Sequence, residues 1–67
     1  MKISFIPNES PDDDNLFEVH IESVPHGFIR GFESGGFGYF KIIGNKMVPR
    51  HESESLDELK RMVVERV

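Results

Sequence analysis

The segment from Gly27 to Gly44 constrains the fold of this chain most, because it has the pattern of a β-hairpin closed at Ser34-Gly35. Directly opposed residues of an antiparallel pair share a face of the sheet. A two-residue turn and a four-residue turn at this point predict the same pairing, whereas a slip by one residue turns a whole strand over. The predicted pairs are Phe32 with Phe37, Gly31 with Gly38, Arg30 with Tyr39, Ile29 with Phe40 and Phe28 with Lys41.

This pairing predicts that one face of the hairpin gathers aromatic rings around cations. The opposite face then holds Ile29, Phe40, Ile42 and Met47 as core side chains. Large aromatic residues beside arginine are typical of contact surfaces between proteins. The predicted partner-binding residues are Phe28, Arg30, Phe32, Phe37, Tyr39 and Lys41, with Glu22 from the preceding strand.

Turn residues divide the rest of the chain into short strands. Gly44-Asn45 is a two-residue hairpin signal, and Pro25-His26-Gly27 predicts a three-residue loop. The predicted strands cover residues 16–24, 28–33, 36–43 and 46–49. The alternating run Lys2–Ile6 is a candidate additional first strand. With these loops, Phe17, Val19 and Ile21 join the core face.

A C-terminal helix is predicted to cover the apolar face of the sheet. Ser55 and Glu58 form an S-x-x-E capping box, in which each side chain satisfies an amide group of the first turn. The apolar residues that follow recur at the three- and four-residue steps of one helical stripe. They are Leu56, Leu59, Met62, Val63 and Val67. Gly31 and Gly38 are expected to let the helix come close to the sheet.

These elements predict a single small α+β domain over residues 1–67. Its sheet is a four- or five-stranded antiparallel meander with the C-terminal helix packed on one face. The chain has no cysteine, which excludes a disulfide framework and a thiolate metal site. A domain of this size must then rely on its core or on association for stability.

Charge and hydropathy limit the classes of partner. The formal net charge is −4 with dispersed basic residues, which argues against duplex nucleic acid as the main partner. The stretch from Asn8 to Asn15 contains the acidic run Asp12-Asp13-Asp14 and predicts a mobile loop. No apolar run reaches the ~20 residues of a membrane helix, and no signal-peptide pattern follows Met1. We therefore expect a cytoplasmic location and no membrane partner.

No catalytic, cofactor or metal motif stands out. Glu18, His20 and Glu22 alternate along one predicted strand face and are the nearest approach to an acid–base or ligand set. They lack a fourth ligand, and His26 and His51 fall in a turn and in the linker before the helix. We expect solvent-facing polar residues here, and no cofactor.

The sequence therefore predicts a non-enzymatic protein-binding module. We expect a small accessory regulator or inhibitor, of the size common in bacteria and phages, that occludes a larger protein through the aromatic face. A homodimer with two stacked sheets would use the same surface. The alternative is a single-stranded RNA- or DNA-binding domain, with bases stacked on the aromatic rings and phosphates met by Arg30 and Lys41. A hydrolase using His20 and Glu22 is the third reading.

Overall fold

The computed structural model describes residues 2–9 and 15–66 and contains a five-stranded sheet followed by one helix. All neighbouring strands are antiparallel, and their order in the sheet is their order in the chain. This confirms the predicted α+β meander and its N-terminal strand. The acidic run Asp12–Asp14 and the stripe residue Val67 lie outside the described residues. The elements are β1 (Ile3–Pro7), β2 (Asn15–Ile21), β3 (Val24–Gly31), β4 (Phe37–Ile43), β5 (Lys46–Ser53) and α1 (Leu56–Arg66).

The core lies between α1 and one side of the sheet, which we call the helix face. Leu59 and Val63 of the helix are fully buried, as the predicted stripe requires. They pack against Val19, Ile29 and Tyr39 from the three central strands. Partly buried apolar side chains complete the core around this cluster, namely Ile3, Phe5, Phe17, Phe37 and Leu56.

The helix begins where the sequence predicts it. The Ser55 hydroxyl accepts a hydrogen bond from the amide of Glu58 at 3.3 Å, which satisfies one of the donors that a first helical turn leaves free. The Ser55 amide donates to the Ser53 hydroxyl at 3.2 Å. The Ser53 hydroxyl thus takes the place that the capping box assigns to the Glu58 carboxylate.

The hairpin at Gly44-Asn45 is also confirmed. Ile42 pairs with Met47 and Lys41 pairs with Val48, as a two-residue turn requires. Beyond this turn, β5 runs four residues further than predicted, to Ser53. His51 is therefore a strand residue opposite Tyr39, and its predicted place in a linker is wrong.

The predicted register of the central hairpin is wrong by one residue. Gly31 pairs with Phe37 and Arg30 pairs with Gly38, so the loop between β3 and β4 has five residues, 32–36. Gly35 and Gly36 adopt φ angles of +96° and +86°, a conformation that side-chain-bearing residues rarely adopt. An odd loop length reverses the parity of the pairing. As a result β4 presents the opposite faces from those predicted.

The turn between β2 and β3 also differs from the prediction. It is a two-residue turn at Glu22-Ser23, where both φ angles are positive, +52° and +67°. This is the backbone that the right-handed twist of a hairpin favours. Pro25-His26-Gly27, the predicted loop, lies inside β3.

Three β-bulges change the alternation of strand residues, and the first makes Leu16 an extra residue of β2 between the pairs Asn15–Arg30 and Phe17–Ile29. His26 is an extra residue in β3, between the pairs Val19–Gly27 and His20–Pro25. Arg50 is an extra residue in β5, between Tyr39–His51 and Phe40–Pro49. The bulge at His26 keeps Val19 and Ile29 on one face, as predicted, although the predicted pairing of β2 with β3 is wrong.

Candidate functional site

The side of the sheet away from α1, which we call the open face, carries three of the predicted partner-binding residues. Phe28, Arg30 and Phe32 project from β3 and the start of its following loop, and Phe28 pairs directly with Phe40. The helix packs on β4 and β5 from the other side of the sheet. The open-face side chains named below are Ile6, Glu18, His20, Phe28, Arg30, Phe32, Phe40, Ile42 and Met47.

Gly38 leaves room for the Phe32 ring on the open face. The Phe32 ring lies over Gly38, since a Cβ built on Gly38 would come within 2.5 Å of Phe32 Cζ. This position brings Phe32 edge-on to Phe40, with ring centroids 6.2 Å apart and planes at 77°. Such an edge-to-face arrangement is the preferred one for aromatic pairs.

Arg30 lies at the centre of this surface. Its guanidinium carbon is 5.5 Å from the centroid of the Phe40 ring. Its Nε donates a hydrogen bond to Oδ1 of the buried Asn15 at 3.2 Å. A cation fixed from two sides in this way loses little further freedom when a partner binds.

Four predicted site residues lie elsewhere. Phe37 and Tyr39 are on the helix face, where Tyr39 is only 3% exposed within the core cluster. Lys41 shares that face, and Glu22 is in the β2–β3 turn, where its carboxylate accepts a hydrogen bond from the Lys2 amide at 2.9 Å. The placement of these residues on the aromatic surface is therefore wrong: β4 is turned over, and Glu22 lies in the turn and no longer in a strand.

The same reversal brings to the open face residues that the sequence assigns to the core. These are Phe40, Ile42 and Met47, of which Met47 is 39% exposed. Ile6 on β1 is 41% exposed and adds an apolar side chain at the other end of the sheet. The two successive glycines at 35 and 36 are the sequence signal for a longer loop and hence for this arrangement.

The acid–base candidates do not form a constellation. His20 Nε2 and Glu18 Oε2 are 3.2 Å apart on β2, while Glu22 has left the strand. Over residues 2–9 and 15–66, no three His, Asp or Glu side chains are grouped so that they could hold a metal ion.

A second candidate site, a cavity that we call the basic pocket, lies on the helix face beside the end of α1. The cavity measures about 30 Å³ and is open to solvent on one side. Tyr39 and His51 line it with stacked rings, 6.1 Å between centroids and 13° between planes. The polar residues that line it are His26, Tyr39, Lys41, Arg50, His51 and Arg66.

Two side chains of the basic pocket have shifted pKa values. Burial raises the pKa of the Tyr39 hydroxyl above its usual value near 10.0, and the charge of Arg50 partly offsets this effect. Burial lowers the pKa of His51 below 6.5, and the charges of Arg66 and Arg50 lower it further. Arg50 lines the same cavity as the two stacked rings, so its charge acts on both groups.

Comparison with known proteins adds no family to this picture: no family model, curated protein or solved structure matches the chain. Within the part of the chain that the structure describes, no helix is long and apolar enough to cross a membrane.

Proposed function

We propose that this chain is a non-enzymatic, cytoplasmic protein-binding module, an accessory regulator or inhibitor that occludes a larger protein through its open face. One observation supports this proposal above all. Among the described residues, no element packs over the open face, although three Phe rings lie there around Arg30. A partner surface would take the place that a second layer of secondary structure takes in larger folds.

The composition of the open face fits a protein contact. Buried aromatic residues and arginine contribute most of the binding energy at interfaces, while flanking apolar contacts exclude water. Phe28, Phe40 and Arg30 would form the centre of such a contact, and Ile6 and Met47 would flank it from β1 and β5. Four strand spacings separate these edge strands, so the apolar surface spans roughly 19 Å.

The expected partner has an apolar surface with a carboxylate near its centre. Arg30 donates from Nε to Asn15. An arginine carries five N–H donors, so the outer nitrogen atoms of the guanidinium can bind a carboxylate of the partner in addition. Its position over Phe40 fixes the direction from which that carboxylate would approach.

Single-stranded nucleic acid fits the open face less well. That reading requires Arg30 and Lys41 together to meet phosphates beside the stacked bases. Lys41 lies on the helix face, and Glu18 shares the open face with Arg30. A mixed charge distribution of this kind does not form the cationic track that follows a phosphate backbone.

The test uses exposed residues, so that the fold is preserved. Purified protein would be used to capture a partner from cells of the source organism, and binding of the purified partner would then be measured by calorimetry. Met47→Asp and Ile6→Asp should each weaken this binding by about tenfold or more, since a charge would be buried in an apolar contact. Val64→Asp is the matched control, because Val64 is 51% exposed on α1, away from the open face.

Three outcomes would contradict the proposal. Equal affinity of Met47→Asp and Val64→Asp would remove the open face from the interaction. A dimer in light scattering that Met47→Asp dissociates would assign the face to self-association. Salt-sensitive binding of a short oligonucleotide that Met47→Asp abolishes would favour nucleic acid.

A further inference from the structure

The basic pocket concentrates positive charge in an acidic chain. The chain has twelve acidic and eight Lys or Arg residues. Lys41, Arg50 and Arg66 all line this one cavity, together with two histidines, and its lining in the described part of the chain includes no carboxylate. Arg50 and Arg66 are exposed and Lys41 is partly buried, so the like charges lie at the rim of the cavity, where a bound anion would reduce their mutual repulsion.

Two of the three bulges of the sheet supply part of this cluster. His26 is the extra residue of β3 and Arg50 is the extra residue of β5, and both line the basic pocket. In a regular strand, successive side chains point to opposite faces, so Arg50 and His51 could not both face the same cavity. Bulges re-aim side chains in this way beside functional sites. Two separate departures from regular pairing thus serve the same cavity.

The Tyr39 hydroxyl is a second, independent indication of a ligand. Tyr39 is 97% buried, being 3% exposed, and no described residue makes a hydrogen bond with its hydroxyl. Every fully enclosed polar side-chain atom of the described residues has a partner. The hydroxyl therefore retains an opening, and the cavity that Tyr39 lines is the basic pocket.

We propose that the basic pocket binds a phosphate group, with Arg50 and Arg66 as the principal cations and the Tyr39 hydroxyl as a neutral donor. Guanidinium groups match phosphate oxygens with paired hydrogen bonds. A cavity of about 30 Å³ admits one small anionic group, since one water needs ~10–15 Å³ on the same measure. The remainder of a phosphorylated small molecule would lie outside the cavity, at the protein surface. This proposal does not depend on the open face, which is on the other side of the sheet.

The test is a titration of the isotope-labelled protein with inorganic phosphate, followed by NMR at constant ionic strength. Saturable shifts are expected for the amides of Gly27, Tyr39 and His51. Arg50→Gln and Arg66→Gln should each weaken phosphate binding by about tenfold or more, the usual effect of losing a charged hydrogen bond. Arg61→Gln is the matched control, since Arg61 is an exposed residue of the same helix and does not line the pocket.

Tyr39→Phe tests the neutral donor while it keeps the ring. The affinity for phosphate should fall by roughly tenfold or more, the effect of losing one hydrogen bond to a charged group. Tyr39 is the only tyrosine, and there is no tryptophan, so absorbance near 295 nm reports its ionisation alone. Bound phosphate should raise the pKa of Tyr39, because a nearby anion disfavours the tyrosinate.

Titration with a phosphomonoester such as glycerol phosphate distinguishes free phosphate from a phosphorylated small molecule as the ligand. If the phosphomonoester binds more tightly than inorganic phosphate, the natural ligand carries an organic group; if the two bind equally, the site recognises the phosphate group alone. Acetate binding as tightly as phosphate would overturn the assignment. So would the absence of saturation, or an equal response of Arg50→Gln and Arg61→Gln.

Discussion

Each face of this sheet has an aromatic ring packed over a glycine, but the two rings are buried to different extents. On the helix face the Tyr39 ring lies over Gly27, and on the open face the Phe32 ring lies over Gly38. Tyr39 is almost fully buried, whereas Phe32 is only partly buried. A ring that folds across a glycine covers the backbone in both cases. The comparison teaches that strand pairing decides which ring lies on each face, and that the helix completes the burial of the ring beneath it.

The two faces also differ in charge. The open face combines Arg30 with the neighbouring Glu18–His20 pair, so charges of both signs are present. The helix face gathers Lys41, Arg50 and other basic residues at one end of the core. A mixed surface suits the variety of groups on a protein, and a cavity of one sign suits a small ion.

The largest expected effect is the loss of a core side chain on the helix face. Leu59→Ala should lower the free energy of unfolding by about 2–5 kcal/mol, since Leu59 is fully buried. Urea unfolding followed by circular dichroism measures this. Val64→Ala, on the exposed side of the same helix, should stay within about 0.5 kcal/mol of the parent. Equal effects of the two changes would show that α1 does not define the core.

Alanine substitution of Gly27 and of Gly38 compares the two faces directly. A Cβ on Gly27 would overlap the Phe40 carbonyl oxygen and lie 2.7 Å from Tyr39 Cε1, so backbone must move. Gly27→Ala should therefore destabilise the fold by roughly 2–3 kcal/mol. On Gly38 the Cβ would meet the end of the Phe32 ring, which can swing towards solvent. Because the ring can move, Gly38→Ala should lower the free energy of unfolding by about 1 kcal/mol or less. A lower urea midpoint for Gly38→Ala than for Gly27→Ala would contradict the comparison.

Substitution of Arg30 tests how much the contacts of the open face contribute to the free energy of unfolding. Arg30→Met removes the cation over Phe40 and the hydrogen bond to Asn15. The combined loss should be about 1 kcal/mol, because both contacts are partly exposed to water. Thermal unfolding of Arg30→Met beside Arg61→Met would check this. No difference between the two variants would mean that these contacts add nothing to the folded state.

The smallest expected effect is the pH dependence that His51 adds on the helix face. Its pKa in the folded protein lies below the unfolded value near 6.5, so above about pH 6.5 the ring is neutral in both states. As the pH falls below that value, the unfolded chain binds the proton first and stability decreases. The urea midpoint of the parent should drop between pH 7.5 and 5.5 by more than that of His51→Gln. An identical drop would show that His51 carries no such penalty.

The elements with local signals were predictable from the sequence. The helix follows from a capping serine and a stripe of apolar residues that includes Leu59 and Val63. The hairpin at Gly44-Asn45 follows from two turn residues. In each case neighbouring residues determine the structure, and distant parts of the chain are not required.

The faces of the strands were harder to predict, because each depends on a count of residues in a loop. A five-residue loop with positive φ at Gly35 and Gly36 reversed Phe37, Tyr39 and Phe40. The basic pocket could not be predicted at all. It depends on a bulge at Arg50 and on an extension of β5 that brings His51 opposite Tyr39, and neither has a turn signal in the sequence.

The order of the strands leaves β1 and β5 at the two edges of an unclosed sheet. Each edge strand contains a proline, Pro7 in β1 and Pro49 in β5, and β5 also carries the bulge at Arg50. Proline offers no amide donor to an incoming strand, and a bulge bends the edge away from flat pairing. Concentrated solutions of this protein should therefore resist fibril growth by edge-to-edge addition, even though so short a chain exposes both margins of its sheet.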